Sequence, residues 1–257
     1  MRTRNALMVL AVVMACGAAM AELPAHAVPA KWETGTFSIL GFDPDTGEIG
    51  GAVQSRVFSV GNGVLWAEAG VGVAATQAVV DVGYGPTALE LLKRGMTPEA
   101  IVKKIWTDDP DPLPKEWSKQ GRQFAVMNAK GEYAQFTGTQ APEWAGHKGG
   151  RYCAAQGNIL AGPAVVANMV QAFESTKGHL SERFVAALEA GQAAGGDTRG
   201  QESAALVIVK KDGGVWLHND VVLHLQVDDN PEPIKELKRL VDKWNERRPR
   251  PATDRKG

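Results

Sequence analysis

Thr36-Phe37-Ser38-Ile39-Leu40-Gly41-Phe42, then Asp43-Pro44-Asp45-Thr46-Gly47, then Glu48 onward to Arg56: the reading of this run decides the fold. The first seven residues alternate and are rich in β-branched and aromatic side chains, as a strand is. Asp-Pro-Asp-Thr-Gly is turn chemistry: proline presets one dihedral, glycine supplies positive φ, and aspartate bonds its own backbone. Strand, turn and strand make a hairpin, so the sheet it starts is antiparallel.

Working outward, residues 70–78 predict a third strand. Pro86 opens a helix that ends at Arg94 and Gly95, and Thr97-Pro98-Glu99 supplies an N-cap and first-turn proline for a second, through Trp106. A looser Asp/Pro segment, 108–119, leads to a hairpin of 123–128 and 132–137 joined by Ala129-Lys130-Gly131. A strand at 152–156 precedes helices at 163–175 and 181–190, and short strands follow at 204–209, 214–217 and 221–227. Strand groups separated by helix pairs predict an α+β fold with antiparallel sheets, not regular βαβ winding.

The 257 residues carry a formal net charge of −1. That balance argues against a protein that binds nucleic acid by neutralising phosphates. Arg2 and Arg4 precede an apolar run from Ala6 to Ala21, and Ala25-His26-Ala27 is an A-x-A cleavage pattern. These are the parts of a signal peptide over 1–27 and predict a periplasmic or secreted protein. The run is shorter than the roughly 20 residues a membrane span needs. A lipoprotein reading of Val13-Met14-Ala15-Cys16 is disfavoured because the apolar run continues past the cysteine. Cleavage after Ala27 leaves a short leader, 28–35, and Cys153 as the lone cysteine, read as a small buried hydrophobe.

Residues 231–257 hold nine Lys/Arg against five Asp/Glu. Ile234, Leu237, Leu240, Val241 and Trp244 recur there at helical spacing, so a C-terminal helix docks on the core before a Pro/Arg-rich end that starts at Arg247. The sharper alternative is a basic arm that touches an anionic envelope surface. There is no G-x-S-x-G elbow, no P-loop and no H-E-x-x-H. His218, His224, Asp228 and Asp229 crowd one stretch, but they read as outward polar residues of a half-buried strand, so no metal and no cofactor are expected.

Several strings carry a resemblance. They are Thr36-Phe37-Ser38-Ile39, Ala52-Val53-Gln54-Ser55-Arg56, Trp66-Ala67-Glu68-Ala69-Gly70-Val71-Gly72 running to Ala75-Thr76-Gln77, and Tyr84-Gly85. Further on come Gln156-Gly157-Asn158-Ile159-Leu160-Ala161-Gly162 and Gly195-Gly196-Asp197-Thr198-Arg199-Gly200, which runs on into Ser203-Ala204-Ala205. In this order, over about 36–230, the chain resembles the bacterial domain of unknown function 1028 family, placed in the N-terminal-nucleophile (Ntn) hydrolase superfamily. The resemblance implies a four-layer αββα sandwich of two antiparallel sheets over 36–230. It also implies that the first residue of the mature domain is nucleophile and base together. A threonine hydroxyl needs a base to take its proton, and a free α-amine with pKa ≈ 7.7–8 can be that base. An amide nitrogen cannot, so Thr36 works only if the Gly35–Thr36 bond is cut. Here the chain departs from relatives that begin Met-Thr-Phe, because signal cleavage leaves 28–35 ahead of Thr36.

On this reading Thr36, Ser55, Arg56 and Asn158 carry catalysis, with Asn158 and a backbone N–H at the oxyanion. Glu68, Gln77, Asp197, Arg199 and Ser203 bind substrate. Each has an ordinary alternative: Arg56 as a strand-end ion pair, Glu68 as a paired carboxylate, Asn158 as a turn residue, and Asp197, Arg199 and Ser203 as the ordering of a glycine-rich turn. Glu202 stands where many relatives are expected to have glutamine. The expected activity is hydrolysis of a C–N amide bond in a small or peptide-like substrate, with homo-oligomerisation left open. The alternative is a non-catalytic binding protein of the cell envelope with the same fold and an uncut leader.

Overall fold

In the computed structural model residues 35–247 are described, all within one compact unit, Glu33–Gly257. The expected signal peptide, the leader up to residue 34 and the end of the basic tail lie outside the described residues.

The opening hairpin forms as read, from β1 (Thr36–Phe42) and β2 (Ile49–Ser55). The following segments make β3 (Leu65–Glu68) and β4 (Gly72–Ala78), then α1 (Tyr84–Lys93) and α2 (Pro98–Asp108). A second hairpin is β5 (Arg122–Asn128) and β6 (Tyr133–Thr137), followed by β7 (Gly146–Gly150) and β8 (Cys153–Asn158). Helices α3 (Ala164–Ser175) and α4 (Leu180–Ala193), strands β9 (Ser203–Val209) and β10 (Val221–Val227), and helix α5 (Pro233–Arg247) complete the chain. The strands form two sheets, in the orders β10-β9-β2-β1-β8-β7 and β3-β4-β5-β6, and every named pairing is antiparallel. The fold class is therefore α+β, with two antiparallel sheets and five helices among the described residues.

Three apolar cores separate the elements. Phe37, Ile39 and Leu206 of the larger sheet pack with Met169 and Phe173 of α3, Phe184 and Leu188 of α4, and Leu237 and Val241 of α5. Leu40, Val53, Val73, Met127 and Val207 fill the space between the sheets. Ala74, Phe124 and Val126, on the other face of the smaller sheet, pack with Leu92 of α1 and Ile101 of α2. Each central strand is therefore apolar on both faces, which is why simple alternation does not say which face meets which layer.

Several boundaries move for local reasons. The first helix begins at Tyr84, two residues before Pro86, because Tyr84 and Gly85 N–H groups bond back to Asp81 and Val82 carbonyls. Proline fits there, within the first turn, where an N–H has no intrahelical partner. Thr97 caps α2 as expected, its hydroxyl accepting from Ala100 N–H at 3.4 Å. The stretch 214–217 is not a strand. Asp212, Trp216 and His218 take positive φ there, and Asn219 Nδ2 donates to the Val215 carbonyl, so it forms the turn between β9 and β10. Strands β3 and β7 were not expected; β7 is Gly-His-Lys-Gly-Gly, a composition that gives no strand signal. The C-terminal helix docks as read, with Ile234, Leu237 and Val241 buried. No helix among the described residues is long and apolar enough to cross a membrane.

Candidate functional site

One face of β1 looks into the inter-sheet space, and along it Phe42 and Leu40 give way to Ser38 and Thr36. The same change occurs on the neighbouring strands. Val53 is followed by Ser55 on β2, Ala75 by Gln77 on β4, Met127 and Ala125 are preceded by Gln123 on β5, and Ala154 is followed by Gln156 and Asn158 on β8. Register brings these polar ends together: Thr36 lies opposite Ser55 on one side and Asn158 on the other. The inter-sheet layer is thus apolar at one end and polar at the other, although both ends are buried.

Buried amides must find partners, and here they find one another. Ser38 Oγ donates to Gln77 Oε1 at 2.6 Å, and Gln77 Nε2 donates to Gln123 Oε1 at 2.9 Å and to the Thr36 carbonyl at 3.3 Å. Gln123 Nε2 donates in turn to Thr137 Oγ1 and the Gly157 carbonyl. Asn158 Nδ2 points into this network, to Gln123 Oε1 at 3.2 Å and the Thr36 carbonyl at 3.5 Å. Its Oδ1 is buried with no hydrogen-bond partner among the described residues.

The Gly35–Thr36 junction is held on the other side. Thr36 Oγ1 donates to Ser55 Oγ at 3.2 Å, and Ser55 Oγ donates to the Gly35 carbonyl at 2.5 Å. Arg199 Nη2 reaches the same carbonyl at 2.8 Å while Nη2 and Nε fork onto the two oxygens of Asp197, at 2.8 and 3.1 Å. Asp197 is buried, and its Oδ1 also accepts the Arg199 main-chain N–H. The turn that carries this pair is stapled to the loop after β8 by Thr198 N–H to the Ile159 carbonyl and Ala161 N–H to the Gly196 carbonyl. Two strand ends that deliver site residues run straight into strained backbone: Ala78, after Gln77, has φ 64°, and Ile159, after Asn158, has φ 55°. A β-branched residue there is an outlier, of the kind that clusters at functional sites.

The expected residues therefore sort plainly. Thr36, Ser55, Gln77, Asn158, Asp197 and Arg199 come together around the junction. Arg56 turns aside to pair with Glu202, whose N–H also bonds the Ser55 carbonyl. Ser203, opposite Ser55 in register, braces the loop after β2, donating to the Val57 carbonyl and accepting Val60 N–H. Glu68 is not brought to the site. It pairs with Lys93 at 2.8 Å and lies opposite Gly72, at the far end of β4 from Gln77. Ser38, Gln123 and Gln156 were missed. Their signal was present at period two, since Gln123 shares a face with Ala125 and Met127, but nothing in the pattern marks that face as the one between the sheets.

Other ionisable groups lie elsewhere. Burial pushes the Cys153 thiol up to about 12, which suits a small core residue and not a nucleophile. Tyr84, Asp109 and Arg122 form a buried cluster at the start of β5: Tyr84 Oη donates to Asp109, and Arg122 Nε reaches Asp109 Oδ2 at 3.2 Å. Burial raises the Tyr84 phenol strongly. For Asp109 burial works upward, but the hydrogen bonds from Tyr84 and Asp111 and the Arg122 charge prevail and hold the carboxyl below its ordinary value. No group of three or more His, Cys, Asp or Glu among the described residues is placed to hold a metal ion.

The polar end of the sheets lies within a stretch that is matched elsewhere. A family model described as a family of unknown function, DUF1028, matches residues 36–237. The crystal structure of protein SPO2555 from Silicibacter pomeroyi, itself described with that family, is 31% identical with a TM-score of 0.73, over 82% of this chain and 87% of that one. No match is found among curated proteins. The chain belongs to the DUF1028 family.

Proposed function

We propose, taking that membership as the premise, that the chain is an exported Ntn-type hydrolase that cuts a C–N amide bond, with Thr36 as its nucleophile. The Ntn-like four-layer αββα arrangement belongs to this reading, and the order of the three cores supports it: helices, larger sheet, smaller sheet, helices. The observation that carries the chemistry is the double grip on the Gly35 carbonyl by Ser55 Oγ and Arg199 Nη2, with the Thr36 hydroxyl hydrogen-bonded to the same serine.

The grip polarises the one carbonyl that must be attacked to free Thr36. The Thr36 hydroxyl oxygen adds to the Gly35 carbonyl carbon, and the charge that develops on its oxygen is met by Ser55 and Arg199. The C–N bond then breaks as the hydroxyl proton passes to the Thr36 nitrogen, leaving an ester. Water splits that ester into a Gly35 carboxylate and a chain that begins with a free Thr36 amine and hydroxyl. A preorganised donor at a developing oxyanion contributes on the order of 10²–10³ in rate. A freed α-ammonium has three N–H donors, and Asn158, opposite Thr36 in register, carries a buried Oδ1 that has no partner among the described residues. Cleavage would offer that acceptor a partner. The amine then takes the Thr36 proton in each later turnover. Ser55 and Arg199 replace the expected backbone N–H and Asn158 as oxyanion donors in this account, because Asn158 Nδ2 is spent inside the glutamine network.

The test is the intact mass of the exported protein from its native compartment. The expected mass is that of a chain starting at Thr36. A uniform, stable start upstream of Thr36 leaves no basic nitrogen beside the hydroxyl and overturns the reading. Thr36→Ser should still be processed and Thr36→Ala should not; cleavage of Thr36→Ala at the wild-type rate assigns the cut to another protease.

A further inference from the structure

We infer that the site takes amides whose acyl group is unbranched at the carbon next to the carbonyl, a glycyl group first among them. The inference rests on the reading of Thr36 above and concerns what that site admits. Gly35 is the acyl group the chain itself presents to Thr36, with its carbonyl already seated between Ser55 and Arg199. A Cβ built on Gly35 would collide with Arg199 Nη2 and lie 2.6 Å from Asp197 Oδ2 and 2.8 Å from Arg199 Cζ. All three are shorter than real carbon contacts.

The end of an arginine can usually swing away from such a clash. This one is fixed. Its Nε and Nη2 fork onto both oxygens of Asp197, and Asp197 is buried and bonded by the Arg199 main-chain N–H. The same Nη2 holds the Gly35 carbonyl. Room for a substituent therefore comes only by breaking the ion pair and releasing the carbonyl that the pair exists to polarise. Specificity and activation are one contact, so a branched acyl group loses both together. In turnover the Thr36 oxygen bonds to such an acyl carbon, the amide C–N bond breaks, and the amine leaves with the hydroxyl proton relayed through the Thr36 amine. Water then returns the acyl group as a carboxylic acid.

Two measurements test this. In the first, intact mass follows cleavage before Thr36 in the full-length wild type and in Gly35→Ala. In the second, the processed wild type is offered the glycyl, acetyl and L-alanyl para-nitroanilides. Excluding one methyl group from a tight site is worth about 10–200-fold, so Gly35→Ala should be cut slower by that factor. The glycyl and acetyl anilides should be hydrolysed at least about tenfold faster than the alanyl one. Wild-type cleavage with equally fast cleavage of Gly35→Ala overturns the inference and leaves Thr36 as nucleophile. So does a chain starting at Thr36 that prefers the alanyl anilide, or that hydrolyses none of the three. Wild type that never begins at Thr36 overturns the underlying reading as well, and is recognised without any variant. If Gly35→Ala fails to fold by circular dichroism, the anilide comparison decides, since it uses only the wild type.

Discussion

The two ends of the inter-sheet layer are built on the same strands, have the same burial and differ in everything else. At one end Leu40, Val53, Val73 and Met127 pack together across the sheets. At the other, Ser38, Ser55, Gln77, Gln123 and Asn158 are equally buried, and each is tied to a neighbour. The apolar end needs no further account, because removing such side chains from water stabilises the fold by about 1.5–3 kcal/mol each. The polar end returns far less for the same burial, since a net hydrogen bond contributes only about 0.5–1.5 kcal/mol and an orphaned acceptor such as Asn158 Oδ1 costs about 1–3. A packed fold does not call for that arrangement, and departures of this kind are expected where a protein does chemistry.

Leu40 belongs wholly to the apolar end. Leu40→Ala leaves a cavity between the sheets and should lower unfolding free energy by about 2–5 kcal/mol in a urea titration. Cleavage before Thr36, read by mass in the folded fraction, should proceed at the wild-type rate. Loss of cleavage with unchanged stability would mean that the apolar end also serves the chemistry.

Ser55→Ala is the converse. It removes one of two donors at the Gly35 carbonyl and should slow cleavage by about 10²–10³. Stability should fall too, by about 0.5–1.5 kcal/mol for each of the three hydrogen bonds that Ser55 Oγ shares with Gly35, Thr36 and Val57, so the cleavage rate is what sets it apart from Leu40→Ala. A Ser55→Ala chain processed at full speed would place the activating contact elsewhere.

Much of the fold was legible because it rests on local chemistry. The turn at 43–47, the Thr97 cap and the apolar stripe of α5 are written in adjacent residues, and all three form. Strands β3 and β7 were not legible, since β7 holds its place through pairing with β8 and not through its own composition. At the site, Thr36, Ser55, Gln77, Asn158, Asp197 and Arg199 were found through a family resemblance, and the structure gathers them. Glu68 shows the limit of that route. It sits in a matching string, yet β3 runs antiparallel to β4 and carries it away from Gln77. Ser38 and Gln123 were invisible for a different reason: on strands covered by apolar layers on both faces, one polar residue does not reveal which face it occupies.

The Asp109 cluster is the control for the proposed site, buried polarity that lies away from Gly35. It is as buried as the site, but it lies on the helix-covered side of the smaller sheet and touches none of the residues around Gly35. Asp109→Asn should cost about 1.5–3 kcal/mol near neutral pH, the range for hydrogen bonds to a charged group, with processing unchanged. Because the folded carboxyl titrates below its unfolded value of about 3.9, its contribution is complete above that pH. It is lost as pH falls through the lower folded value. The stability gap between wild type and Asp109→Asn should therefore be constant above about pH 5 and close in stronger acid. A gap that widens on acidification would reverse the assigned shift.

The smallest effect is expected at Glu68, and it sharpens the comparison from outside the layer. Glu68 shares its string with residues that lead into Gln77, so resemblance alone would place it in the site. Geometry puts it at the opposite end of β4, part-exposed, with Lys93 between it and Glu90. An exposed pair of this kind contributes about 0–1 kcal/mol and less at high salt. Glu68→Gln should therefore shift the urea midpoint only slightly, and raising salt should shrink even that difference. Cleavage before Thr36 and hydrolysis of the glycyl anilide should both be indistinguishable from wild type. A large loss of either activity, with stability intact, would show that the site extends along the whole length of β4 and that its boundary at Gln77 is drawn too tightly.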